Sequence, residues 1–212
     1  MPGGVLAAVC DPRPECLIGY GAAATFTGAQ DLLKAGVVDA VVIATPHPSH
    51  VELGRAAFRA GLHVLMEKPL GIHKAEAASL LAEPRRGLFA MMFNQRTDPC
   101  FQKLRALVRD GTLGEIHRFS WTITDWFRTN AYYRSSPWRA TWAGEGGGVL
   151  LNQGVHNIDL LQWNFGLPTR VRAVAGFGRF HPIDVEDDVT ALLEYGNGLK
   201  GVFTTTSGEA PG

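Results

Sequence analysis

The sequence predicts an α/β fold in two parts: a parallel sheet layered with helices over residues 1–96, and an α+β unit on a mostly antiparallel sheet over 97–212. Two observations carry this. Short apolar runs (Asp39–Ala44, Leu62–Met66, Gly87–Phe93) recur with helix-length stretches between them, the pattern of parallel strands with crossover helices. Toward the end, strand patterns follow one another directly, and Gly196-Asn197-Gly198 between two of them signals a hairpin.

In order, Val5–Cys10 reads as a buried strand ending at Asp11, with Cys10 inert in the core, and Ala23–Ala35 reads as a helix stopped by Gly36. Asp39–Ala44 reads as a second buried strand, after which Thr45-Pro46-His47-Pro48 turns the chain. A helix from His50 to Ala60 follows, with Ser49 and Glu52 as its capping box. Ile72–Glu83 is the next helix, and Pro99–Asp110 is amphipathic through Phe101, Leu104, Leu107 and Val108. Glu115–Trp126 alternates as a strand, Thr129–Glu145 is an aromatic loop, and Arg170–Phe180, Asp188–Tyr195 and Leu199–Thr206 complete the second sheet. The first strand pattern begins close to Met1, and Thr204–Gly212 ends without a closing helix, so both sheets are expected to be incomplete.

Composition removes several functions. Apolar residues are 46% and charged residues 19% of 212, an ordinary globular mix. Formal net charge is zero, which disfavours nucleic acid or an anionic membrane as the main partner. No apolar run is long enough to cross a bilayer, and no signal peptide is recognisable. Three cysteines without a CxxC pair suit a reducing compartment, and a cytoplasmic location is expected. His47 and His50 lack a completing ligand set, so no metal site is expected.

The chemistry concentrates in three stretches. Gly146–Trp163 reads as a helix apolar on nearly every side, hence buried, with Asn152, His156 and Asp159 at i, i+4 and i+7 on one face. Such a stripe lines a site or is satisfied within a core; the helix alone does not separate the two. Asp11 ends a strand where a dinucleotide-binding fold places the acid that bonds ribose hydroxyls, and Arg13 keeps a 2′-phosphate open. The glycine-rich phosphate loop expected about 20 residues earlier is not in this sequence. Thr45-Pro46 and Glu67-Lys68-Pro69 end the next strands at the ligand-binding edge, although the first also reads as a plain β-to-α turn and the second as a common surface tripeptide. Pro69 biases Lys68 to an extended backbone.

Glu67-Lys68-Pro69, Phe93-Asn94-Gln95-Arg96, Trp138-Arg139 and Gly146–Asp159 with Asn152-x-x-x-His156-x-x-Asp159, in this order, resemble the Gfo/Idh/MocA oxidoreductases over nearly the whole chain. The resemblance implies an N-terminal Rossmann domain (here partial, 1–96) and a C-terminal α/β domain (97–212, also partial) whose open sheet packs against a partner subunit, giving a homo-oligomer. It implies NAD or NADP, with NAD favoured by Asp11, and hydride transfer at a carbinol carbon of a sugar, inositol or related polyol. Lys68 corresponds to the active-site lysine and His156 to the acid/base. Asp11, Thr45, Pro46, His50, Glu67 and Asn94 correspond to cofactor-side positions, and Arg139 to a residue reaching the cofactor. Asn152 stands where several members carry aspartate; it positions groups but transfers no proton. Asp159 is expected to orient His156 or to accept a substrate hydroxyl, and Tyr132, Tyr133 and Trp138 to wall the pocket or pack the core. The competing expectation, from the absent phosphate loop, is a non-catalytic fragment or paralogue that binds a sugar or dinucleotide.

Overall fold

The computed structural model describes residues 3–21 and 23–210. Of the terminal stretches read above, Met1, Pro2, Pro211 and Gly212 lie outside them. The chain divides into two units, one of residues up to Thr45 together with Ser49–Met92, the other of Pro46–Pro48 together with the chain from Phe93 onward.

In the first unit every strand pairing is parallel. Strand β1 (Ala8–Cys10) pairs with β2 (Ala24–Phe26), and β3 (Ala40–Ile43), β4 (His63–Met66) and β5 (Phe89–Met91) form a second ladder in that order. Helix α1 (Ala29–Lys34) follows β2, α2 (His50–Arg59) follows β3 and α3 (Lys74–Ala82) follows β4. The apolar face of α2 (Val51, Ala57 and Phe58) packs with Leu80 of α3 on Ile43, Val64 and Met66. Burying a side chain the size of Phe58 contributes about 2 kcal/mol.

Several expectations need correction here. The stretch read as one helix from Ala23 is a strand followed by a shorter helix: Thr25-Phe26 pairs with Val9-Cys10, and the extended Gly28 separates the two elements. Val5–Cys10 is not buried, because Val5 and Leu6 are exposed and so is Cys10. Val42 of β3 is 61% exposed, since only the face carrying Val41 and Ile43 meets the helices. Ser49 does not cap α2; it is itself helical, and its hydroxyl donates instead to Thr45 Oγ1 at 2.6 Å.

The second unit holds a four-stranded sheet in the order β6 (Arg118–Ile123), β9 (Lys200–Thr206), β8 (Glu186–Glu194), β7 (Arg170–Phe177). Two pairings are antiparallel, including the β8–β9 hairpin, and β6 joins β9 in parallel. The inward side chains Ala191, Leu193 and Phe203 pack against Phe119, Trp121 and Ile123, and Leu161 of α6 (Val155–Phe165) closes the core. Helix α4 (Pro99–Arg109) runs as expected, started by Asp98, whose carboxylate accepts the Cys100 N–H at 2.7 Å. The aromatic loop contains a short helix, α5 (Asn130–Arg134), capped by the Thr129 hydroxyl.

The glycine-led helix begins later than its apolar pattern suggests. Residues 146–154 form successive turns, and α6 starts only at Val155. The cause is Glu186, far along the chain. Its carboxylate accepts the N–H groups of Gly148 (2.9 Å) and Leu150 (3.1 Å), and its backbone carbonyl accepts that of Val149 (2.8 Å). A Cβ on Gly148 would overlap the Glu186 carbonyl, so the glycine admits backbone rather than ligand. The helix is not apolar all round either: Asn157, Asp159 and Asn164 are buried while Ile158 is 40% exposed.

Candidate active site

In the first unit, the residues singled out by sequence gather at the carboxyl ends of parallel strands, where such sheets bind ligands. The buried His50 ring connects two of these ends, its nitrogens 2.7 Å from the carbonyl oxygens of Thr45 and Pro69. Glu67 donates its N–H to the Ile43 carbonyl (2.8 Å), and its carboxylate accepts the Lys68 N–H (3.1 Å). The half-buried Lys68 precedes a cis peptide bond to Pro69. At the end of β1, Asp11 accepts the N–H and Nε–H of Arg13 (2.9 and 3.2 Å), both through Oδ1. These bonds hold its carboxyl below the usual carboxylate range.

In the second unit a buried polar cluster leads into α6. Glu145 is 1% exposed and accepts the Ala140 N–H (2.7 Å) and the amide of Asn152. Ala140 has φ 54°, a left-handed conformation uncommon for a residue with a Cβ, held by this bond to Glu145. Arg139 stacks against Tyr132 (4.4 Å) and Trp138 (4.7 Å), donates to the Tyr132 hydroxyl (2.7 Å), and lies 3.9 Å from Glu145. The amides of Asn152 and Gln153 both point to the same hydroxyl at 3.4 Å. His47 lies 3.3 Å from the Glu145 carbonyl, with its ring 5.1 Å from that of Trp138. His156 occupies the first turn of α6, edge-on to Phe93 at 6.1 Å.

Asp159 forms a bidentate pair with Arg96 (2.6 and 2.7 Å). Asn152 lies in the turns ahead of α6, so the i, i+4, i+7 helical face does not extend to it. Tyr133 serves packing: its hydroxyl meets the buried Ser207 (2.7 Å), its ring lies 4.9 Å from His181, and burial pushes the phenol up to about 12. Asn94 is exposed at the start of a short 3-10 helix. Among the described residues, no three His, Cys, Asp or Glu side chains cluster as metal ligands would, and no helix is long and apolar enough to cross a membrane. Glu145 and Gln153 were not singled out from sequence. The signal available was a lone carboxylate between glycines, in a stretch otherwise apolar.

Residues 3–90 match the model of an oxidoreductase family with an NAD-binding Rossmann fold, and residues 101–212 match that of the GFO/IDH/MocA C-terminal domain. The chain belongs to the GFO/IDH/MocA family. Curated relatives agree. The trans-1,2-dihydrobenzene-1,2-diol dehydrogenase of Bos taurus is 36% identical over 180 residues, which cover 82% of this chain and 50% of that protein. The rhizopine catabolism protein MocA of Rhizobium meliloti is 31% identical over 219 residues, covering 98% of this chain and 65% of that protein. The chain thus spans about half the length of the dehydrogenases it matches. Among solved structures, the WlbA dehydrogenase of Bordetella pertussis in complex with NADH and UDP-GlcNAcA superposes with a TM-score of 0.87 at 27% identity, over 97% of this chain and 64% of that one. The myo-inositol 2-dehydrogenase of Lactobacillus plantarum gives a TM-score of 0.82 at 25% identity, over 96% and 62%.

Proposed function

We propose that this family member transfers a hydride between a nicotinamide dinucleotide and a carbinol carbon of a small polyol, a cyclic diol, sugar or inositol. The observation that carries the reading is the start of α6, where His156 follows an Asn152 amide anchored on buried Glu145. An imidazole titrates near neutrality, so it suits a proton that must be taken in oxidation and returned in reduction.

The donor set suits the dinucleotide. Both bonds from Arg13 end on Oδ1 of Asp11, which leaves Oδ2 as an acceptor for ribose hydroxyls. Thr45, Pro46, His50, Glu67 and Asn94 stand as cofactor-side residues. Arg139 Nε, buried without a partner among the described residues, is a donor toward it. A 2′-phosphate would meet the Asp11 carboxylate, and the neighbouring guanidinium is already engaged by that same group, so NAD is preferred over NADP. A bound nicotinamide would supply the hydride acceptor for oxidation and the donor for reduction. Lys68 donates a hydrogen bond to the reacting oxygen and stabilises negative charge developing there. His156 takes the hydroxyl proton as the C–H bond is lost. Asn152, its Nδ2 held by Glu145, orients substrate and transfers no proton.

Two further readings belong to the whole protein. The outer face of the second sheet exposes Val174, Leu192 and Val202 together, and through it the protein self-associates. The three cysteines are free thiols, in keeping with the cytoplasm. The test of the catalytic assignment is absorbance of reduced cofactor during incubation with NAD and a panel of cyclic diols, sugars and inositols. Lys68→Met and His156→Asn should each lower turnover by at least about a hundredfold while NADH still binds. Turnover surviving in both variants would overturn the assignment.

A further inference from the structure

The acid/base reading leaves open what aims the His156 ring. On α6, His156, Asp159 and Trp163 recur at i, i+3 and i+7 and so share one face. That face is covered by the short segment following β5. The Arg96 guanidinium donates through Nε and Nη2 to the two oxygens of Asp159 (2.7 and 2.6 Å). Its central carbon lies 5.6 Å from the Trp163 ring and 5.7 Å from that of Phe93. Phe93 in turn meets His156 edge-on, at 6.1 Å and 89°. The Arg96 N–H donates to the Phe93 carbonyl (3.0 Å), so the two covering residues are fixed to each other as well.

The contacts therefore close a circuit from His156 to Phe93, Arg96, Asp159 and back along one helical turn. A bidentate fork between planar groups fixes an angle as well as a distance, which a lysine in the same place would not do. Asp159 is 8% exposed, so its carboxylate is withdrawn from water and committed to this partner. We propose that Arg96 is a positioning residue for His156: paired with Asp159 and stacked on Phe93, it sets the rotation of α6 and hence the direction of the imidazole. The proposal rests on the reading of His156 as the acid/base. An ion pair that merely docked α6 would affect stability without affecting the imidazole.

The test uses ring proton–carbon spectra of the protein's seven histidines, with the His156 signal identified by its loss in His156→Gln. Arg96→Lys keeps the charge and removes the fork; Asp159→Asn keeps the shape and removes the charge. Each should move the His156 signal while those of the exposed His63 and His117 stay in place, reporting an intact fold. Each should also lower kcat by about tenfold, leave KM for the cofactor within about twofold, and displace the pH profile of turnover. The double variant should be no worse than either single one. Should Arg96→Lys fail to fold, Asp159→Asn, which leaves the Phe93 ring in place, carries the same readout. An unmoved His156 signal in folded Arg96→Lys or, failing that, in Asp159→Asn would overturn the proposal. Turnover surviving in His156→Gln would overturn the acid/base reading and the catalytic half of this one, while the spectrum alone decides whether Arg96 aims the ring.

Discussion

Asp187 shows how much one buried carboxylate organises. It is fully buried and accepts the N–H groups of Arg179 (2.9 Å), Phe180 (2.8 Å) and His181 (3.0 Å), with the His181 ring at 3.1 Å. The other nitrogen of that ring lies 2.7 Å from the Arg128 carbonyl, so one side chain ties the β7–β8 connection to the segment ahead of α5. Asp187→Ala strands these donors and should cost about 3 kcal/mol, read as a lower urea midpoint; a loss near zero would mean that water replaces the carboxylate. Tyr133 gives a pH signature. Burial raises its phenol from 10.0 to about 12, so the folded protein keeps it neutral where the unfolded chain has ionised it. The stability this provides is complete below pH 10 and disappears as pH rises to about 12. The advantage of wild type over Tyr133→Phe in urea should therefore shrink between pH 10 and 12; a constant difference would contradict the assignment.

Elements with local causes were legible in the sequence. Helix α4 has its Asp98 cap, Pro99 in the first turn and an amphipathic pattern, and Gly196-Asn197-Gly198 made the hairpin. Asp98→Ala should lower the urea midpoint by an amount equivalent to about 1 kcal/mol; an unchanged midpoint would show that the cap is not limiting. Elements with distant causes were not legible. Strand β2 is three residues long and exists through pairing with β1, so Ala24–Phe26 looked like the start of the helix behind it. The start of α6 is set by Glu186, whose two carboxylate bonds reach Gly148 and Leu150 from another element. The exposed faces of β1 and β3 were misread for a related reason. An apolar run reports that a strand is apolar, not which of its faces is covered.

On the scale of the molecule, the ordered set of short motifs carried the family, since each is weak alone and their sequence is not. Contacts formed by folding were invisible to it: the Arg96–Asp159 fork spans 63 residues, and the Glu145 cluster joins Tyr132 of α5 to Ala140 and to Asn152 ahead of α6. The outer sheet face carries a prediction of its own. Light scattering should find an oligomer, and Val174→Asp should reduce it to monomer without unfolding; a monomeric wild type would contradict that surface's role. The central claim is direct hydride transfer from a carbinol carbon to a nicotinamide. It is tested by incubating the protein with NAD and a polyol deuterated at that carbon, then weighing the reduced cofactor by mass spectrometry. Direct transfer gives reduced cofactor that carries the deuterium; reduced cofactor without the label, or none with any polyol tried, would rule it out.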